Sequence, residues 1–209
     1  MIESLDGVFV TGTDTDVGKT VVSAWLATRW GWGYWKPVQS GTVEGSDSAE
    51  IARLVPGCRI YPPAYAFRAP LAPHFAARRE GGHVDLAACL RPETSGPLVV
   101  EGAGGVLVPL NGVATIIDLM GLLRLPAVVV ARTRLGTINH TLLTLEALRR
   151  RHIPILGVVL NGRPDPENRE AIERFGAVAI LGELTPLDKV TPETMAVWPD
   201  PRLPQTVAS

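Results

Sequence analysis

An α/β domain, a parallel sheet with helices on both faces, is the fold class this sequence predicts, and three observations predict it. Short runs at residues 8–10, 98–100, 127–131 and 155–160 are apolar throughout rather than alternating, the pattern of strands buried on both faces. Stretches of helical spacing separate these runs, and strand–helix alternation requires the crossover connections of a parallel sheet. Several runs end in small, acidic or amide residues. Right-handed crossovers place such strand ends along one edge, where open α/β sheets bind ligands.

Composition bounds the function. The 209 residues suit one domain with a full core, spanning 1–209, with a tail from about Pro199 expected to be loosely held because Pro201 and Pro204 interrupt it. A hydrophobic share of 46% with 20% charged residues is that of an ordinary globular protein. Net charge is −1, which argues against a protein that mainly grips nucleic acid. Two cysteines, Cys58 and Cys89, form neither a disulfide framework nor a zinc spacing and suit a reducing compartment. The start, Met1-Ile2-Glu3-Ser4-Leu5-Asp6, lacks a signal-peptide pattern, and no apolar run approaches membrane-spanning length. A cytoplasmic enzyme is the expectation, with neither membrane nor nucleic acid as partner.

The first strand, residues 8–10, runs into Thr11-Gly12-Thr13-Asp14-Thr15-Asp16-Val17-Gly18-Lys19-Thr20 and then a helix over 19–30 with Val22, Leu26 and Trp30 on one face. A loop between a strand and a helix N-terminus turns backbone N–H groups and the helix dipole on phosphate oxygens. Lys19 is placed to reach the β- and γ-phosphates and the Thr20 hydroxyl to ligate Mg²⁺. Gly12 lies one residue earlier than the strict pattern G-x-x-x-x-G-K-[ST] requires. The expected sheet is therefore P-loop NTPase-like. Trp30, Trp32 and Trp35 read as a packing cluster between this helix and the sheet.

Residues 33–38 predict a second strand that ends in Lys36, followed by Pro37-Val38-Gln39-Ser40-Gly41. A lysine there faces either bound phosphate or solvent. A helix opens at 45–50 and runs to about Leu54; Ser46 or Asp47 is its N-cap, and Asp47 is alternatively a Mg²⁺ carboxylate. Five prolines between Pro56 and Pro73 forbid a long helix there; Pro73 suits the first turn of a short one, His74 reads as a structural hydrogen-bonder, and 84–91 allow another short helix. Residues 98–100 lead into Glu101-Gly102-Ala103-Gly104-Gly105, an acid at a strand end that in phosphate-loop proteins holds Mg²⁺ opposite the loop hydroxyl. After the strand at 127–131, Gly136-Thr137-Ile138-Asn139 open a helix through Leu142, Leu145 and Leu148; their N–H groups serve an anion or ordinary capping. The strand at 155–161 ends in Asn161, whose amide carries donor and acceptor together and suits a purine. A helix over 167–175 and a last strand over 177–181 follow.

The stretches Thr11 to Thr20, Lys36-Pro37-Val38-Gln39-Ser40-Gly41, Ser46-Asp47-Ser48-Ala49, Ala72-Pro73-His74, Val100-Glu101-Gly102-Ala103-Gly104-Gly105, Leu135-Gly136-Thr137-Ile138-Asn139-His140 and Leu181-Gly182-Glu183 together resemble the dethiobiotin synthetase family. They span most of the chain in that family's order, early Gly12 included. The resemblance implies a homodimer that binds 7,8-diaminopelargonate (7,8-diaminononanoate) near the subunit interface. It carboxylates one amine with CO₂ or bicarbonate, phosphorylates the carbamate with ATP, and closes the ureido ring by attack of the second amine. Lys36 and Lys19 are then the catalytic lysines, and Thr20, Asp47 and Glu101 match the Mg²⁺ positions. Asp16, Val17, Gly18, Lys19, Thr20, Val21, Asp47, Glu101, Gly102, Ala103 and Gly104 match nucleotide contacts. Asn161, with Thr185, Pro186 and Leu187 beside it, matches the adenine side. Ser40 matches a substrate contact, and Gly136, Thr137, Ile138 and Asn139 match the stretch that receives the substrate's distant carboxylate. Gly162 and the Thr185-Pro186 pair depart from the family's pattern at the adenine side, and Arg134 stands where relatives carry Lys.

Two rivals share the loop. A partition-type P-loop ATPase carries a signature lysine five residues before Lys19, where this chain has Asp14. A small-molecule kinase would release a phosphorylated product and gives no account of Lys36-Pro37-Val38.

Overall fold

A computed structural model describes residues 5–43 and 45–204. Expectations about the N-terminal 1–4 and the end of the tail, 205–209, lie outside the described residues. The elements are β1 (Gly7–Gly12), α1 (Lys19–Trp30), β2 (Gly33–Trp35), β3 (Val38–Gln39), α2 (Asp47–Leu54), β4 (Ile60–Tyr61), β5 (Tyr65–Ala66) and α3 (Pro73–Arg79). Then come β6 (Leu98–Gly105), α4 (Ile116–Leu123), β7 (Ala127–Arg132), α5 (Thr137–Arg150), β8 (Ile155–Asn161), α6 (Pro166–Gly176), β9 (Ile180–Leu184) and α7 (Pro192–Met195).

Seven strands form one sheet in the order β4-β2-β6-β1-β7-β8-β9, and every pairing in it is parallel. This is the expected architecture. Side-chain alternation splits the core in two. Val8, Val10, Val99, Val128 and Val130 pack with α1, α2 and α7 on one face; Phe9, Leu98, Val100, Ala127 and Val129 pack with α3, α4, α5 and α6 on the other. Glu101 shares the parity of Val99, so the sheet turns its carboxylate toward the face that carries α1. β1 is central, between β6 and β7, which puts the loop after it beside both neighbouring strand ends.

Five local expectations are revised. The strand expected over 33–38 breaks at Lys36, because Pro37 has no N–H to continue the ladder with β6; Val38 and Gln39 instead pair with Tyr65 and Ala66 in a separate two-stranded sheet. The tryptophans do not form one cluster. Trp30 and Trp32 meet at a tilt of 49° with ring centroids 4.8 Å apart on the α1 face, whereas Trp35 packs in the opposite core. The short helix expected over 84–91 is a single 3₁₀ turn, Leu86–Ala88, capped by Asp85. The last strand begins at Ile180 rather than 177, since Ala177 ends α6 in the left-handed region with φ 41°. Helix α4, read as no element in the sequence, exists because Ile116, Ile117, Leu119 and Met120 are buried and Asp118 accepts from the Thr115 N–H at 2.8 Å.

The C-terminal segment is tied down as far as Arg202. Trp198 is buried and donates to the Thr185 carbonyl, Trp25 donates to the Pro199 carbonyl at 3.1 Å, and the Arg202 N–H reaches the Leu181 carbonyl at 2.7 Å.

Candidate active site at the carboxyl edge of the sheet

The loop from Gly12 to Thr20 is shaped by what its glycines exclude. A Cβ on Gly12 would lie 2.6 Å from the Asp14 carbonyl and 2.7 Å from Val17, so the early glycine is a steric requirement of this loop. Gly18 has φ 93°, and a Cβ there would strike the Asn161 amide. Only glycine suits that position. Asp16 also adopts a left-handed φ of 55°. The Lys19 ammonium folds back to the Asp14 carbonyl at 3.3 Å, and Arg132 fixes the Asp14 carboxylate at 2.8 Å.

At the N-terminus of α2 the two cap candidates separate. The Ser46 hydroxyl accepts from the Ala49 N–H at 3.1 Å and caps the helix. Asp47 is thereby left to turn inward, where its Oδ1 accepts from the Thr20 hydroxyl at 2.6 Å and its Oδ2 pairs with the Lys36 ammonium at 2.6 Å. Lys36 also reaches Glu101 Oε1 at 2.9 Å, and that oxygen lies 3.0 Å from Thr20 Oγ1. Thr20 of α1, Lys36 from the connection between β2 and β3, Asp47 of α2 and Glu101 of β6 meet at one point.

The ordinary solvated lysine is excluded for Lys36, which is 5% exposed. Burial works against its charge, but Glu101 and Asp47 reverse the balance and raise its pKa above the usual lysine value. Burial likewise disfavours ionised Asp47, and Lys36 with the Thr20 and Gln39 hydrogen bonds brings its pKa below the usual carboxyl value. Lys19 moves the other way: burial, opposed by Glu101 and reinforced by Lys36, lowers its pKa.

A cleft of about 990 Å³ opens on this cluster. Of the expected site residues, Asp16, Gly18, Lys19, Thr20, Lys36, Ser40, Asp47, Glu101, Ala103 and Gly104 line it. Ser40 Oγ is buried there with no hydrogen-bond partner among the described residues. Gly102 faces inward instead, and a Cβ there would lie 2.7 Å from the Phe9 ring. Val21 is half-buried on α1 and does not line this cleft.

Val17, Asn161 and Pro186 line a second cleft of about 500 Å³ across the loop, together with Arg132, Arg134 and Arg163. Asn161 Nδ2 donates to the Val17 carbonyl at 2.9 Å, so strand β8 braces the loop directly. Thr185 and Leu187 do not line this cleft. Gly136, Thr137, Ile138 and Asn139 open α5 at the same sheet edge but line neither cleft within one chain.

Sequence reasoning passed over two residues of the cluster. Gln39 Oε1 accepts from the Asp47 N–H at 3.2 Å, and the Tyr34 hydroxyl donates to Glu101 Oε2 at 3.0 Å. Strand alternation was the available signal for Tyr34, which shares a face with Lys36 two residues on.

A parallel sheet whose central strand feeds a Gly-Lys-Thr loop, faced by an acid on the neighbouring strand, defines a P-loop nucleotide-binding protein. A family model described as an AAA domain matches residues 6–194. The ATP-dependent dethiobiotin synthetase BioD of Paramagnetospirillum magneticum is 62% identical over 195 residues, covering 93% of this chain and 95% of that protein. The protein of the same name from Agrobacterium fabrum is 49% identical, covering 89% of each. A biotin biosynthesis bifunctional protein, BioCD, of Bordetella avium is 53% identical over 92% of this chain and 42% of its own length. The chain belongs to the ATP-dependent dethiobiotin synthetase family.

Proposed function

We propose that the protein is a cyclo-ligase that makes dethiobiotin from 7,8-diaminopelargonate, CO₂ and ATP, releasing ADP and phosphate, and so serves biotin biosynthesis. The observation that carries this reading is Lys36, a buried ammonium held by Asp47 and Glu101 beside the phosphate loop. A hydrolase of nucleoside triphosphates needs the loop and the carboxylates. A second lysine at the same point is what a reaction between two anions requires, because carbamate and γ-phosphoryl group repel one another.

In this reading ATP lies along the loop, its base toward Asn161 and Pro186 and its phosphates at Gly18, Lys19 and Thr20. The diamine occupies the larger cleft near Ser40. Lys19 neutralises the β- and γ-phosphates, while Lys36 turns from its carboxylates to the carbamate and the phosphoryl group in transit. The substrate's own amines do the attacking, so no side chain becomes a covalent intermediate. Positioning and charge neutralisation carry the rate.

The oxygen set fits Mg²⁺. Thr20 Oγ1 lies 2.6 Å from Asp47 Oδ1 and 3.0 Å from Glu101 Oε1, hard donors beside a point that already attracts a cation, the Lys36 ammonium. Such an ion would supply positive charge to offset the charge that develops on the phosphates. Thr20, Asp47 and Glu101 would hold it.

A homodimer completes the site in this reading. Gly136 to Asn139 line neither of the two clefts above, and exposed Leu107 and Leu143 line a third groove of about 470 Å³ beside α5. A second copy seated there would bring the α5 N-terminus to the diamine's carboxylate. No helix among the described residues is long and apolar enough to cross a membrane. A cytoplasmic place suits an enzyme that consumes ATP.

The decisive experiment supplies diamine, bicarbonate, MgATP and the purified protein, and measures all products. Dethiobiotin, ADP and phosphate in equal amounts are expected. ATP turnover that ignores the diamine, or release of a phosphorylated diamine, would overturn the proposal.

A further inference from the structure

Glu101 accepts from three side chains among the described residues. Thr20 and Lys36 both reach Oε1, and both line the cleft. Tyr34 donates to Oε2 at 3.0 Å and does not line it; its ring is fully buried between the sheet and the α1 face. The pairing is built into strand register. Tyr34 lies opposite Val99 in the parallel ladder between β2 and β6, so the phenol leans along the sheet to the next residue on the same face, Glu101. Tyr34 in β2 and Lys36, one residue past the end of that strand at Trp35, each reach Glu101, Tyr34 at Oε2 and Lys36 at Oε1.

The consequence appears when a nucleotide enters. On the reading above Thr20 and Lys36 turn to the ligand, whereas the Tyr34 hydroxyl has no other partner among the described residues. A carboxylate held by one oxygen alone keeps its rotation fixed and offers the other oxygen singly. We infer that Tyr34 is a positioning residue, whose hydroxyl anchors Glu101 Oε2 so that Oε1 alone is presented to a divalent cation. This rests on the reading of Glu101 as a metal-holding residue.

The test replaces Tyr34 by phenylalanine, which keeps the ring and deletes the donor. Binding of Mn²⁺ to the enzyme–ADP complex is measured by electron paramagnetic resonance, beside ADP affinity without metal and thermal melting. Groups hydrogen-bonded to a metal's ligands typically affect affinity by about 10–100-fold. Y34F is expected to weaken Mn²⁺ binding by about 10-fold while metal-free ADP affinity holds. In an E101Q background, which itself lowers Mn²⁺ affinity, Y34F should add nothing. Loss with E101Q but none with Y34F overturns the Tyr34 assignment alone. No loss with either removes the Glu101 reading beneath it.

Should Y34F fail to fold, the unmutated chain answers the same question. It contains three tyrosines, 34, 61 and 65. With 3-fluorotyrosine incorporated, and signals assigned through Y61F and Y65F, the Tyr34 resonance should shift when Mg²⁺ joins the ADP complex. An unmoved Tyr34 signal overturns the inference.

Discussion

Replacing Lys36 by methionine removes one ammonium from between two carboxylates and keeps most of the side-chain volume. Its Nζ lies 2.6 Å from Asp47 and 2.9 Å from Glu101, and the Lys36 and Glu101 side chains are 6% and 0% exposed. At an effective dielectric of about 20, a unit pair at about 2.9 Å attracts by roughly 6 kcal/mol before desolvation is charged against it. The net effect of truncating one partner of a buried pair is smaller, about 3–5 kcal/mol, and most of it reflects the charge left behind. For a protein of this size that predicts a melting temperature lower by roughly 6–20 °C. Two unpartnered carboxylates also attract a divalent ion more strongly than the native cluster does. Millimolar Mg²⁺ alone should therefore raise the K36M melting point more than that of the unmutated protein. Turnover should fall by about 10²–10³-fold, the scale for losing one charge-stabilising donor. The assay is thermal melting with and without Mg²⁺, paired with a coupled ADP assay. A melting point within a degree or so of the unmutated protein would falsify the ion triad.

Asp47→Asn tests the same cluster through pH. The folded pKa of Asp47 lies below its ordinary 3.8, so its contribution is present above about that pH and is lost as pH falls through the lower folded value. The unmutated protein should lose stability on that descent, and D47N should show a shallower slope in acid urea titrations; parallel slopes would refute the assignment. Gly18→Ala places a Cβ at φ 93° against Asn161 and should cost about 1–3 kcal/mol from backbone strain, with nucleotide affinity falling further because Asn161 must leave the Val17 carbonyl. Equal ADP affinity in calorimetry would contradict the brace. Leu143→Glu, on an exposed face of α5, should leave the fold intact and yield a monomer without ligase activity. An active monomer by light scattering would discard the shared site.

The patterns that sequence alone determined are short in range. All-apolar runs reported a parallel sheet because strands covered on both faces have no polar side, and the Gly-Lys-Thr loop announced its chemistry because every group it needs is contiguous. The acid of Glu101 and the lysine of Lys36 were legible as strand-end residues facing the ligand edge. Their meeting was not, since 65 residues separate them and only the strand order, with β6 between β1 and β2, closes the gap.

Where local chemistry allowed two answers, tertiary contact chose. Ser46 and Asp47 are equal caps in isolation; Asp47 turns inward because Lys36 and Thr20 are there to receive it. Trp35 left the tryptophan cluster because strand alternation sends it to the face opposite Tyr34 and Lys36. Tyr34 is an unremarked residue in a short strand until parallel register sets its hydroxyl against a carboxylate 67 positions away. Hydrogen bonds and ion pairs act over a few ångströms, so a sequence names the groups while the sheet decides which of them touch.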